Sequence, residues 1–530
     1  MSVEAIVGAG PSPSPRAKKS GGFGWLMTHE ARLALRSLPT NSGTGFFARN
    51  RTLLFWGVLL GGILHLIAIP FAETLAAVPR HPAPAQVMAI SFFILIGFTI
   101  LVARSLDGVT QLLYNRADLD LLLSSPLPQG RVFSARLLAV ALQTVMPAVF
   151  FTGPFANVAA LGGDIRWLAL YPLVLALAAL STAIAAGLAT CLFSTLGAKR
   201  TRVVAQVVAT LLATGIGAGA QLGKLLSLET QRGLAAKLAA WSQSSAFAAD
   251  SPLVWPARGL LGAPLPMLEL IAFAAVTLAI TGHYLAGRLA ANAVTALGAD
   301  MGARDRGTSR TGRRTARFSA NSAAVLRHKE WRIALRSPWL VAELLTPLVY
   351  LLPPVLVLAK NAGGDTPPLW LMASALAMLA SQIAAGVSRL MISGEDAPDL
   401  VATAPVSQGM RDRAKIVAVI GVALALLLAP IALVFWHSPW AGLCGLAGSL
   451  AAVACVCSIH LWFRTPGKRQ SFYGRTKVPL TVSIADQLIG LLIASTAGLA
   501  IRGDVWALAT LAGVLALLLV CWRKRGHIAM

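Results

Sequence analysis

Two short phrases hold most of the chemistry this sequence offers. The first is DLDLLLSSPLPQGRVFSAR, residues 118–136; the second is DAPDLVATAPVSQGMRDRAK, residues 396–415. Each runs from an Asp-Leu pair through proline to Gln-Gly, and then to an alanine followed by a basic residue. At an offset of 279, Asp120 meets Asp399, Leu121 meets Leu400, Pro126 meets Pro405, Gln129 meets Gln408 and Gly130 meets Gly409. These residue types suit docking better than bond-making. Asp118 and Asp120, or Asp396 and Asp399, can cap and charge the start of a short helix. Leu119, Leu121, Leu122 and Leu123 then add apolar surface. Pro126 and Pro128, or Pro405, end the helix, and Gln-Gly turns the chain back. Leucines in a short water-facing turn are costly unless something covers them. Either their own bundle or a partner could do so, and the residues leave both open.

A second pair of phrases precedes these. EARLALRS, residues 30–37, and EWRIALRS, residues 330–337, agree at six of eight positions at an offset of 300. The identities include Glu30 with Glu330, Arg32 with Arg332 and Arg36 with Arg336, while Trp331 stands where the first copy has Ala31. On a helical wheel, Lys329, Arg332 and Arg336 share a stripe opposite Trp331, Ala334 and Leu335. A basic stripe opposite an apolar face predicts an interfacial helix on the membrane surface, ended by Pro338 or Pro39.

The elements that must position these phrases are membrane spans. Of the 530 residues, 56% are hydrophobic and 12% charged, against about 25% charged in a soluble domain. The apolar residues come in blocks of about 20, the length that crosses a bilayer core as a helix. Twelve spans are expected, near 52–72, 86–106, 135–155, 167–192, 203–223 and 267–290, then 339–359, 369–391, 414–436, 439–462, 482–500 and 504–522. With the N-terminus inside and loops assigned alternately, only eight of the 45 Lys and Arg residues fall outside: Arg80, Arg166, Lys224, Arg232, Lys237, Arg258, Lys360 and Arg502. This positive-inside bias puts both termini in the cytosol. It also accounts for the net charge of +24, with basic loops lying against anionic headgroups. The charge is spread over several loops rather than one face, which argues against a nucleic-acid partner.

The expected organisation is a disordered cytosolic tail over 1–27, a first half over 28–291, a basic linker over 292–326 and a second half over 327–530. The linker includes GARDRGTSRTGRRTARFS, residues 302–319. Both pairs of phrases occupy corresponding places, one before the first span of each half and one after the second. That argues for an internal duplication, and six spans per half makes the copies parallel in topology. The fold class is therefore an all-α polytopic membrane protein of about 12 transmembrane helices. They form two six-helix repeats, each preceded by an interfacial elbow helix.

On these residues the chain resembles the permease subunit of ABC exporters of the ABC-2 type, with two halves fused. The resemblance implies that Glu30 to Ser37 and Glu330 to Ser337 are elbow (connecting) helices. It implies that Asp118 to Gly130 and Asp396 to Gly409 are coupling helices seated in a cleft of a separate ATPase. Two copies of that P-loop ATPase would be the partners, with ATP and Mg bound there and no cofactor in this chain. Transport direction is implied only by the resemblance, as is a place in the inner (cytoplasmic) membrane. No G-x-x-x-x-G-K-[ST] occurs. Gly223-Lys224 comes nearest, but Ala218 stands at the first glycine position and Leu225 follows the lysine.

The runner-up is a secondary transporter with two six-span halves, of the major facilitator class. That class carries a Gly/Asp/Arg-rich motif between its second and third spans. Here such letters lie in the central linker, and the loop at 107–134 has Asp-Leu-Leu and Pro instead. An enzyme would need clustered polar catalytic groups, and none is legible. The five cysteines lie in apolar blocks, and Cys455 and Cys457 form C-x-C without a partner pair, so no metal site is expected. Glu269, Glu343, Asp486, Arg104, Arg389, His65, His283 and His460 fall in or near spans. None forms a matched pair between the halves, and no substrate or ion ligand is assigned among them. The external segment 224–266 contains a helical stretch, ETQRGLAAKLAAWSQ, and interface-anchor tryptophans Trp241 and Trp255.

Overall fold

Backbone N–H and C=O groups inside a bilayer must be satisfied within their own segment, which leaves helices as the simplest solution. The computed structural model follows that rule. It describes residues 46–79, 82–114, 128–223, 227–244, 251–308, 322–336, 343–351, 368–393, 405–463 and 480–524, together with Gly24, Thr28, Leu340 and Thr403. Among these residues helix dominates and no strand occurs.

In chain order the helices are α1 (Phe46–Ala76), α2 (Pro84–Tyr114), α3 (Gln129–Leu161), α4 (Leu170–Gly223), α5 (Leu228–Ser242), α6 (Trp255–Leu260) and α7 (Pro264–Thr308). Then come α8 (Ser322–Arg336), α9 (Leu369–Ser393), α10 (Gln408–His437), α11 (Pro439–Trp462), α12 (Leu480–Ile501) and α13 (Trp506–Arg523). Nine helical segments among the described residues are long and apolar enough to cross a membrane, from the 18 residues of Trp506–Arg523 to the 33 of Ile165–Gly197. They coincide with nine of the expected spans. The other three expected spans are helical where described: Gly57–Phe71 lies inside α1, Val203–Leu212 inside α4, and 343–351 forms a shorter helical stretch.

α4 holds two expected spans in one run of 54 residues and breaks at Gly197, where φ is 71° and ψ 169°. That backbone region is open to glycine and rarely to other residues. Thr201 Oγ1 braces the corner by donating to the carbonyls of Leu192 and Gly197, each at 2.8 Å. Both described ends of the expected linker, 292–326, are helical. α7 continues to Thr308 and α8 begins at Ser322. The helical stretch expected in the external segment is α5, whose N-terminus is capped by Ser227 accepting from the Thr230 amide at 3.2 Å.

The core clusters of the described residues fall on either side of α8. One core cluster joins residues from Leu340 to Cys521. Three smaller clusters lie wholly between Val87 and Leu289. No core cluster among the described residues includes members from both sides of α8. Within the second set, close approach depends on small residues, as expected where lipid supplies no hydrophobic drive between helices. A Cβ at Gly490 would meet Ser381 Oγ at 2.6 Å, and one at Gly498 would meet Ser374 Oγ at 2.3 Å, so α12 packs almost backbone-to-backbone on α9. Large apolar side chains such as Val58, Phe93, Leu268 and Leu515 face outward, the arrangement a lipid-facing surface requires.

Candidate functional site

The site builds from α8, the only one of the two expected elbow helices whose residues are described. Glu30, Arg32 and Arg36 lie outside the described residues. Glu330 points inward from α8 and is buried. Lys415 of α10 reaches it, with Nζ 3.5 Å from both Oε1 and Oε2; the side chains are 7% and 3% exposed. Lys415 Nζ also donates to the Met391 carbonyl at 2.6 Å. Met391 is in the last turn of α9, where carbonyls have no helical partner and a cation is favoured. One ammonium thus ties α8, α9 and α10 together. Lys329 Nζ adds a looser approach to Glu330 Oε1 at 3.6 Å.

Beside this pair the Trp331 indole lies on α10 at Gly421, where a Cβ would come within 2.8 Å of its Cζ2. The tryptophan fits because that residue has no side chain. Arg332 and Leu335 are exposed, and Arg336 closes α8. α8 is therefore not a helix merely lying on a surface. Its Glu330–Trp331 edge is keyed into the bundle, while Leu335, expected on the apolar face with Trp331, points away from it.

Of the two turn phrases, Asp118, Asp120, Leu121, Leu122 and Pro126 lie outside the described residues, as do Asp396, Asp399 and Leu400. What the structure describes is where each phrase ends. Gln129 and Gly130 open α3. Gln408 and Gly409 open α10, after Ser407, whose Oγ accepts from the Met410 amide at 3.3 Å. Pro405, Gln408 and Gly409 are exposed. The alanine and basic residue that end each phrase are buried: Ala135 and Arg136 in α3, Ala414 and Lys415 in α10. The second turn therefore leads within two helical turns to the lysine that holds α8.

Two further ionic contacts share this end of the second set. Arg389 Nη2 of α9 lies 2.8 Å from Glu343 Oε2, and Gly386 leaves room for that carboxylate, which a Cβ would meet at 3.0 Å. His460 Nε2 of α11 lies 3.0 Å from Asp486 Oδ2 of α12, both fully buried. Near them Ser388 and Cys457 are in contact at 3.4 Å. The sequence places Glu343, Arg389, His460 and Asp486 in or near spans but does not pair them. The partners are separated by 46 and 26 residues, and no periodicity carries such information.

The first set is satisfied differently. Ser105 of α2 sits among Ser181, Thr182 and Thr144 at 2.9, 3.2 and 3.4 Å. Tyr171 donates to Asn157 Oδ1 at 2.6 Å, Asn157 Nδ2 approaches His65 Nε2 at 3.3 Å, and His65 Nδ1 reaches the Gly61 carbonyl at 2.7 Å. The network assigns the His65 proton to Nδ1.

No group of three or more His, Cys, Asp or Glu that could hold a metal occurs among the described residues. The contacts described can fix helices to one another and carry charge. Comparison with known proteins found no family model, no curated protein and no solved structure that matches this chain.

Proposed function

We propose that the chain is the membrane-spanning permease of an ATP-driven exporter of the ABC-2 type, working with two copies of a separate P-loop ATPase. It is a transporter subunit and not itself an enzyme, with twelve spans in two parallel halves, in the cytoplasmic membrane with both termini in the cytosol. The Lys415 junction is the observation that carries this reading. A motor docked at Asp396 to Gly409 pushes on a turn that runs directly into α10. Seven residues into α10, Lys415 grips the elbow helix through Glu330 and the end of α9 through Met391. Force applied at the turn is thereby shared by three helices instead of being lost in one.

The matched phrase at 118–136 ends in the buried Arg136, which gives the first half the same basic root. Asp118, Asp120, Leu121, Leu122, Pro126, Gln129 and Gly130 then form the other coupling surface.

The test is copurification of the ATPase with the tagged full chain. Leu121→Asp together with Leu400→Asp abolishes it while leaving expression and Tm unchanged. Retained ATPase in that variant overturns the reading. In reconstituted vesicles the wild-type complex hydrolyses ATP faster when substrate is present.

A further inference from the structure

His460 and Asp486 belong to none of the duplicated phrases, and the exporter reading gives them no task. We propose that they form a proton-binding site inside the second half, taking up and releasing one proton. The proposal holds whichever energy source drives the protein, so it does not rest on the exporter reading.

A hydrogen bridges Nε2 and Oδ2 at 3.0 Å. Imidazolium beside carboxylate and imidazole beside carboxylic acid contain the same protons and have no net charge. Release of one proton to water leaves a neutral imidazole donating its remaining N–H to a carboxylate, and a net charge of −1. Both side chains are 3% exposed, so the two states differ by a whole charge in a medium that solvates charge poorly.

Among the described residues the neighbouring charges are engaged elsewhere or lie at exposed ends. From α9 come Ser381, which donates to the Asp486 backbone carbonyl at 3.5 Å, Ser388, and Arg389, which is engaged by Glu343. From α10 comes Lys415, held by Glu330 and the Met391 carbonyl. α11 itself supplies Cys455 and Cys457, and α12 supplies Gln487, bonded to Gln382 at 2.9 Å. α13 supplies Cys521, close enough to feel Asp486, and Lys524 at its exposed end.

Asp486 Oδ1 is buried without a hydrogen-bond partner. An unpartnered oxygen costs much less on a neutral carboxyl than on a carboxylate. A proton also needs no cavity and only these two atoms. His460 lies two residues from the end of α11 at Trp462. Ionisable residues at membrane depth are functional sites by default.

Infrared difference spectra of the full chain in detergent, taken between acid and alkaline pH, test the site. The expected result is a set of pH-dependent carboxyl and imidazole bands that Asp486→Asn and His460→Gln both remove. Spectra identical in wild type and Asp486→Asn overturn the proposal. Tm profiles guard against a variant that folds poorly: the gap between wild type and His460→Gln changes with pH across this range. A gap that stays constant overturns the proposal equally.

Discussion

The two sets of helices solve one problem by different means. Both must bury polar groups between apolar helices. The first set, from α1 to α7, does so between its long helices mainly with neutral groups, the Ser105, Thr144, Ser181 and Thr182 hydroxyls and the Tyr171–Asn157–His65 chain, while its Asp164–Arg166 ion pair lies in the short connection before α4. The second, from α8 to α13, uses ionic partners: Glu330 with Lys415, Glu343 with Arg389, and Asp486 with His460. A hydroxyl cluster degrades gradually, since a neighbour can turn to replace a lost partner. A buried ion pair fails at once, because removing one member strands the other's charge.

The largest effect should therefore come from Lys415. Lys415→Met removes the more deeply buried of the two lysines beside Glu330, and stability falls by about 3–5 kcal/mol, measured as Tm in detergent. The double change Lys415→Met with Glu330→Leu restores most of that loss. A single-variant loss below about 1 kcal/mol breaks the contrast between the sets. On the proposed duplication, Arg136 stands where Lys415 does and Glu30 where Glu330 does. Glu30→Gln then lowers Tm about as much as Glu330→Gln, whereas a harmless Glu30→Gln confines the ionic key to the second half.

Next in size is Gly421→Ala, whose new methyl meets the Trp331 ring at 2.8 Å. Overpacking of this kind costs about 1–3 kcal/mol. The same duplication sets Ala31 opposite Leu142 where the second half has Trp331 and Gly421, a large and a small partner exchanged. Trp331→Ala with Gly421→Leu rebuilds that combination, and its Tm exceeds that of Gly421→Leu alone. Smallest is Ser105→Ala, which removes one hydroxyl from a four-membered cluster and costs about 1 kcal/mol. A Tm drop as large as that of Lys415→Met would erase the difference between the two sets.

Much of the fold was legible in the sequence because spans are set by run length and charge. The nine segments from Pro84–Leu112 to Trp506–Arg523 match apolar blocks read directly from the residues, and α5 matches the stretch ETQRGLAAKLAAWSQ. The corner at Gly197 was read only as a gap between two spans, since a backbone angle has no hydropathy. The candidate site was half legible. Glu330 and Lys415 each stood inside a repeated phrase, but they are 85 residues apart, and neither phrase indicates that they touch. Leu335 was assigned to the same face as Trp331, yet packing selected Glu330 instead. Once an acid has a lysine waiting for it, burying it costs less than the wheel implies.

The separate cores have one more consequence. Among the described residues each core cluster draws its members from one side of α8 alone. Two genes, each encoding one set, should yield polypeptides that insert independently and meet only in the bilayer. On the proposed duplication, joining the halves in one chain fixes their ratio at one to one.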